Sequence, residues 1–504
     1  MAMGTRQKRQ RQEELWVAMT TLARPASHPF YERLNRLLDE SGFDEFVEQL
    51  CQPFYAETMG RPGLVPGIYF RLLLVGYFEG IDSERGIAWR AADSLGIRSF
   101  LRIALDETGP DHSTISRTRR LIDLETHQAV FAWILAVLAE QGLLRGKTLG
   151  IDATTLEANA ALRSIVRRDS GEAYEDFLKR LAKESGIETP TRAQLARLDR
   201  KRPKKGSNQE WVNPHDPDAR ITKMKDGCTH LAHKAEHAVD METGAVVAVT
   251  LQPANAGDTY TVHETLIEAV ENVEMIADVI NQGSENPVVK SKGPIELVAD
   301  KGYHSREVVR DLSDAGVRTY ISEPERGPQK WVGQTAEQSA VYGNRRRVRS
   351  ERGKRLQRQR GEKLERVNAH LYETGRMRRT HLRGHPNILK RLLIHAGALN
   401  LGILLRAVCR IGTPRGLQDG VPRQLQEAQI VLILLLCLLL EAEETKMSQT
   451  AQTRVTRDIP VTPFHQLLVC PHSAAAGKTQ LLPPRAARPA RICDSQINWY
   501  AGNS

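Results

Sequence analysis

The sequence predicts an α/β protein, with a mixed and partly parallel sheet flanked by helices and preceded by an all-helical N-terminal domain. Three observations predict it. Residues 31–140 read as helical. After them come strand, hairpin, helix, strand, helix, strand and more helix, the order of a mixed sheet. Two of the strands, TLGI and ELVA, end on a carboxylate, Asp152 and Asp300.

Taken in order, residues 1–30 form a basic arm. Its start, MAMGTRQKRQRQEELW, lacks the apolar core of a signal peptide. In the helical domain, 31–140, YERLNRLLDESGFDEFVEQL puts Leu34, Leu37 and Leu38 on one face and Phe43, Phe46 and Val47 on a later turn. In TGPDHSTISRTRRLIDLETH, Asp111 suits a helix N-cap, and Arg117, Arg119 and Arg120 follow. A capped Arg-rich helix suits DNA contact; the plainer alternative is a solvated face. A second domain, 141–410, opens with the strand KTLGIDATT. Residues 157–220 are polar and charged and read as an insertion or extended loop. HLAHKAEHAVDMETGAVVAVTL reads as a hairpin turning at Asp240 to Gly244. A helix near 260–280, the strand at 295–300, the helix SREVVRDLSDAG ending at Gly316, and the strand VRTYISE complete the pattern. Residues 411–504 hold the apolar run Ile430 to Leu440 and then a weakly ordered tail rich in Pro, Ala, Ser, Thr and Arg. The run is about half of what a membrane-spanning helix needs, so a buried or partner-facing helix is expected and no membrane partner.

The 504 residues suggest two to four domains, and 40% apolar content allows sizeable cores. A net charge of +10 and a pI near 9.3 point to a polyanion such as nucleic acid, or to an anionic membrane surface. A merely basic protein would show the same totals, so placement matters more. Asn344 to Arg360 holds nine Lys or Arg and one Glu, and it leads into an amphipathic helix with Leu364, Val367 and Leu371 on one side. Six scattered cysteines without a CxxC pair fit a reducing compartment, not a disulfide framework. Cys228, His230, His233 and His237 lie close in sequence, but on a strand the first two face away from the last two. AAAGKTQ lacks the first glycine of a phosphate loop, because His472 stands there, so no nucleotide cofactor is expected.

Sites in open α/β sheets form at the carboxyl ends of strands. Two carboxylates on neighbouring strand ends repel unless a cation lies between them. Oxygen-only ligands favour Mg²⁺ or Mn²⁺. Glu365, on the amphipathic helix, is a third carboxylate that closes such a site. Two metal ions there suit displacement at a phosphodiester. The adjoining Arg345, Arg346, Arg347, Arg355, Arg358 and Arg360 suit the phosphate backbone. A lone strand-end Asp is more often a cap or turn former; the combination with a basic helix singles this pair out.

These residues resemble the DDE transposases of bacterial insertion sequences, which have a ribonuclease-H-like catalytic core. RPGLVPGIYFRLLLVGYFEGIDSERGIAWRAADSLGIRSFL with PDHSTISRTRR is similar to that group's N-terminal domain. GIDATTLEANA resembles the segment of the first catalytic Asp, hence Asp152. ADKGYHS resembles that of the second, hence Asp300. GEKLERVNAHLYETGRMRRTHLRG resembles the helix of the catalytic Glu, hence Glu365, with Glu362 three residues away as the competing assignment. The chain departs from the pattern at Gly361, where Arg is usual and Arg360 is adjacent. It departs also at Asn368, where an apolar or aromatic residue is expected, at Tyr372 in place of Lys, and at Arg376 after Gly375. The resemblance implies metal-dependent cleavage of double-stranded DNA at element ends, followed by strand transfer into target DNA. It also implies a homodimer or larger assembly on DNA, in the cytoplasm and on the nucleoid. Tyr303 and His304 are expected to touch the scissile strand or to pack. Two alternatives stay open: a related metal-dependent nuclease that cuts without joining, and a non-catalytic DNA-binding relic.

Overall fold

The computed structural model of the protein describes residues 28–414, apart from 57–59, 61, 203–206, 225–226, 281–294 and 328. The basic arm up to residue 27 and the tail with its Ile430 to Leu440 run lie outside the described residues. Helices come first: α1 (Pro29–Glu40), α2 (Phe43–Cys51), α3 (Pro66–Phe78), α4 (Glu84–Asp93), α5 (Leu95–Phe100), α6 (His112–Leu121) and α7 (Leu124–Glu140). Their starts are set by short polar side chains. Ser83, Ser94, Asp111 and Asp123 each accept a backbone N–H from the first turn that follows. Leu34, Leu38, Phe43 and Val47 are fully buried, while Leu37 and Phe46 sit at the margin. α3 is apolar and buried almost all round, a core helix and not an amphipathic one.

The sheet is built from β1 (Thr148–Glu157), β4 (Arg220–Lys223), β5 (Thr229–Asp240), β6 (Val246–Pro253), β7 (Glu296–Ala299) and β8 (Arg318–Ile321). β6, β5 and β1 run antiparallel in that order, and β7 and β8 then continue parallel to β1. β4 adds to β5 beyond the end of β6. Three antiparallel strands extended by two parallel ones form the ribonuclease-H-like sheet. Helices cover both faces. α10 (Asp258–Ile280) packs on β6, β5 and β1, and α13 (Glu351–Asn368) packs on β1 and β7. The two helices bond opposite sides of β5: Thr261 of α10 donates to Glu236, whereas Tyr372, in the π-helical turn Ala369–Thr374 after α13, meets its neighbour His237. α11 (Arg306–Asp314) and α12 (Thr335–Arg349) pack against β8.

Residues 157–220, expected as an insertion or extended loop without a core, have one. β2 (Val166–Arg167), β3 (Trp211–Val212), α8 (Tyr174–Glu184) and α9 (Arg192–Lys201) enclose an apolar core of Trp211, Tyr174, Leu178 and Leu195. Tyr174, Phe177, Leu178 and Ala182 recur at helical spacing on α8, whereas Leu195 and Trp211 reach them from further along a highly charged stretch. The arginines around this core also cover rings: Arg202 stands 4.9 Å from the Phe177 centroid and Arg167 5.4 Å from the same ring.

α14 (His385–Cys409) joins the helical region to the sheet, packing along α7, α3 and β6. Among the described helices it alone has a span's length and hydropathy unbroken, and it is mostly buried in the protein. Its polar side chains bond across the seam. Lys390 donates to the carbonyls of Arg119 (3.0 Å) and Ile122 (2.7 Å), and Asn400 exchanges two bonds with the Val246 backbone.

Candidate active site

β1 and β7 are parallel neighbours with Gly150 opposite Val298. Two residues further on stand Asp152 and Asp300. Asp300 directly follows the end of β7, but Asp152 is not at a strand end as expected, because β1 stays paired with β5 as far as Glu157. Register alone therefore puts the two carboxylates side by side where β7 ends, on strands about 4.8 Å apart. Asp300 also caps a short 3-10 turn, Lys301–Tyr303, accepting from Gly302 N at 2.7 Å. One of its oxygens is thus occupied by its own turn.

α13 crosses β1 directly above Asp152. A Cβ on Gly150 would lie 2.7 Å from Leu364 Cδ1 and 2.5 Å from Met241 Sδ, so only glycine allows the helix this close. One turn beyond Leu364, Asn368 Nδ2 donates to Asp152 Oδ2 at 2.9 Å. Burial raises the Asp152 carboxyl above the usual range, the Arg360 guanidinium works against that, and the Asp300 charge adds to it. The pair is therefore electrostatically coupled and partly desolvated. That donor set suits a hard divalent cation, which relieves the repulsion and takes oxygen ligands.

A third ligand is not gathered in. Glu365 is exposed on α13, and among the described residues no three His, Cys, Asp or Glu side chains form a metal-holding group. Glu362 is exposed too and binds Arg366 at 2.8 Å. The Cys228 to His237 stretch lies along β5 and at its start, and its histidines have other roles. His233 pairs with Asp216 at 3.2 Å, both fully buried. His237, opposite Asp152, meets the Tyr372 hydroxyl at 2.8 Å, and burial lowers its ring to about 3. Tyr303 and His304 are buried, so of the two expected roles they have the packing one.

The arginines divide by environment. On α6, Arg117 and Arg120 are exposed, while Arg119 is buried against Glu84 (2.7 Å) and Asn387. On α12, Arg345 pairs with Glu323 at 2.9 Å, Arg347 donates to Thr319 O and Oγ1, and Arg346 is exposed. On α13, Arg355 and Arg358 are exposed and Arg360 faces the Asp152 charge. At the carboxyl end of β8, beside Asp300, opens a cavity of about 760 Å³ lined by Trp331, Tyr342, Arg326, Arg345 and Arg349.

Sequence reasoning missed four residues near the pair: Asn368 as the partner of Asp152, and Lys234, Glu236 and Asp258. Lys234 and Glu236 left a signal. They are opposite charges standing two apart on one strand, so both point to one face of the sheet and can pair there. Asp258 stands at the start of α10, and its Oδ2 would lie 2.6 Å from a Cβ placed on Gly302, where Asp300 Oδ1 would lie 3.0 Å away.

The fold and the paired carboxylates define the class, a ribonuclease-H-like domain with an acidic site. Residues 151–401 match the family model described as Transposase DDE domain, and residues 21–121 match the one described as Transposase domain (DUF772). The chain belongs to the DDE transposases of insertion-sequence type. The longer match contains Asp152, Asp300 and Glu365. No curated protein and no solved structure matches the chain.

Proposed function

We propose that this transposase binds the ends of its insertion sequence, cuts DNA there and joins the cut end to target DNA. The observation that carries the proposal is the register of β1 against β7, which brings Asp152 and Asp300 together. Asp152 and Asp300 hold the metal jointly, and Glu365 completes the set. Glu365 is preferred to Glu362 because it lies one helical turn before Asn368, which already reaches Asp152. Bound at this pair, Mg²⁺ or Mn²⁺ supplies charge neutralisation and activation of the attacking oxygen. Water attacks a phosphodiester at the element end, the bond to the neighbouring nucleotide breaks, and a 3′-hydroxyl is left. That hydroxyl then attacks target DNA in a second in-line displacement.

The exposed Arg117 and Arg120 of α6, with Arg346, Arg355 and Arg358 of α12 and α13, contact phosphates. Arg119, Arg345 and Arg347 support those elements from within, and Arg360 balances Asp152. The cavity beside β8 offers aromatic faces and cations to a DNA strand. Two ends are joined in one event, so the working unit is a homodimer or larger assembly on double-stranded DNA, acting in the cytoplasm at the nucleoid.

One observation favours a second reading, binding without cutting: Asn368 occupies an oxygen of Asp152, and among the described residues no third carboxylate is drawn in. The test is Mg²⁺-dependent cleavage of the element's own end DNA by wild type and Asp300→Ala. Cutting by wild type alone supports the catalytic reading. Cutting by both removes Asp300 from it. Binding without cutting by either establishes the second reading.

A further inference from the structure

Beneath the turn that carries Asp300 lies a buried ionic network that the proposed chemistry does not use. Glu236 on β5 has no exposed surface. Its Oε1 accepts from the Tyr303 hydroxyl (2.8 Å) and from Thr261 Oγ1 (2.8 Å), and its Oε2 accepts from Thr265 Oγ1. Lys234, on the same face of β5, lies 3.6 Å from Glu236 Oε1 and 2.6 Å from Asp258 Oδ1, and donates to Thr261 Oγ1 at 2.9 Å. Tyr303 is the last residue of the 3-10 turn that Asp300 caps, and it is 1% exposed. The turn is therefore held at its far end by Glu236. At its middle, Gly302 lies against Asp258, which Lys234 holds in turn.

A buried Lys–Glu pair is a weak source of stability, because desolvation offsets most of the attraction. Its position is more informative. It links β5, the start of α10 and the turn after β7, and all three meet at Asp300. We infer that Glu236, through Tyr303, and Lys234, through Asp258, are positioning residues that fix the Asp300 carboxylate for a divalent cation. The turn spends Asp300 Oδ1 on Gly302 N, and the network holds that turn, so Oδ2 stays presented. Support of this kind behind a metal ligand is worth about 10- to 100-fold in metal affinity.

This inference rests on Asp300 being a metal ligand, and the experiment separates the two claims. Mn²⁺ binding to the full-length protein is titrated by electron paramagnetic resonance for wild type, Asp300→Asn, Tyr303→Phe and Tyr31→Phe. Tyr31 is a matched control, since it is a buried tyrosine whose hydroxyl donates to a carboxylate, Glu79, at 2.7 Å in the helical region. Thermal melting of each variant verifies folding. If Tyr303→Phe does not fold, Asp258→Asn releases Lys234 from the partly exposed side and takes its place. The expected result is about tenfold weaker Mn²⁺ binding in Tyr303→Phe and unchanged binding in Tyr31→Phe at similar loss of melting temperature. Wild-type affinity in Tyr303→Phe, with binding lost in Asp300→Asn, overturns the positioning role alone. Equal binding by wild type and Asp300→Asn, or none by wild type, overturns the metal reading and the inference with it.

Discussion

Gly150→Ala tests how closely α13 must lie over β1. The added methyl would meet Leu364 Cδ1 at 2.7 Å and Met241 Sδ at 2.5 Å, against ordinary contacts of 3.4 to 4 Å. Met241 has rotatable bonds to spare and can move aside. Leu364 is 2% exposed, so its Cδ1 yields either by a rotamer change inside a packed site or by a retreat of the helix of about 1 Å, and the retreat is the expected outcome. Overpacking of this kind costs about 1–3 kcal/mol. The same retreat stretches the Asn368–Asp152 bond from its 2.9 Å and shifts Glu365 away from the carboxylate pair. Chemical denaturation with a two-state fit, beside cleavage of end DNA, reads both effects. Leu364→Ala removes the opposing group, and Gly150→Ala/Leu364→Ala should recover about 0.5–3 kcal/mol relative to the sum of the single changes. Wild-type stability in Gly150→Ala, or strict additivity in the pair, would refute the claim that this contact seats the helix.

Two further outcomes follow from charges. Burial, with the Glu264 and Glu271 charges beside it, raises the Glu268 carboxyl to about 7. A carboxyl with a raised folded-state pKa binds its proton more tightly folded than unfolded, so stability falls as pH climbs from about 4.5 to 7 and stays lower above. Glu268→Gln should therefore raise the melting temperature at pH 8 and change little at pH 4, and an equal shift at both pH values counts against the buried-carboxyl account. DNA binding should weaken steeply with salt, and Arg355→Ala/Arg358→Ala should flatten the log–log slope by about 2, one released counterion per phosphate contact. An unaltered slope removes these two arginines from the DNA contact.

Much of the architecture was legible in the chain because it rests on local rules. Asp111 caps α6, the Asp240 to Gly244 turn makes the β5–β6 hairpin, and Gly316, at φ 76°, follows α11. ELVA ends β7 just before Asp300, as its pattern foretold, but TLGI does not end a strand at Asp152: β1 runs on to Glu157, so that carboxylate stands in mid-strand. The core of the 157–220 segment was not foreseen. Its α8 does show a helical period, with Tyr174, Phe177, Leu178, Leu181 and Ala182 on one side, but Leu195 and Trp211, which complete the core, lie far along the chain and only the fold brings them to it.

The sequence by itself determined the order of elements, the two carboxylates that follow TLGI and ELVA, and the concentration of arginine near residue 350. Those follow from periodicity, turn chemistry and charge, which act over a few residues. Only the tertiary structure decided which side chains those groups meet. Arg119 and Arg120 are neighbours in sequence, yet one is buried on Glu84 and the other is exposed. Asn368 reaches Asp152 across 216 residues, and Tyr303 reaches Glu236 across 67. A side chain's partner depends on which elements pack together and at what register, and that is a property of the whole fold.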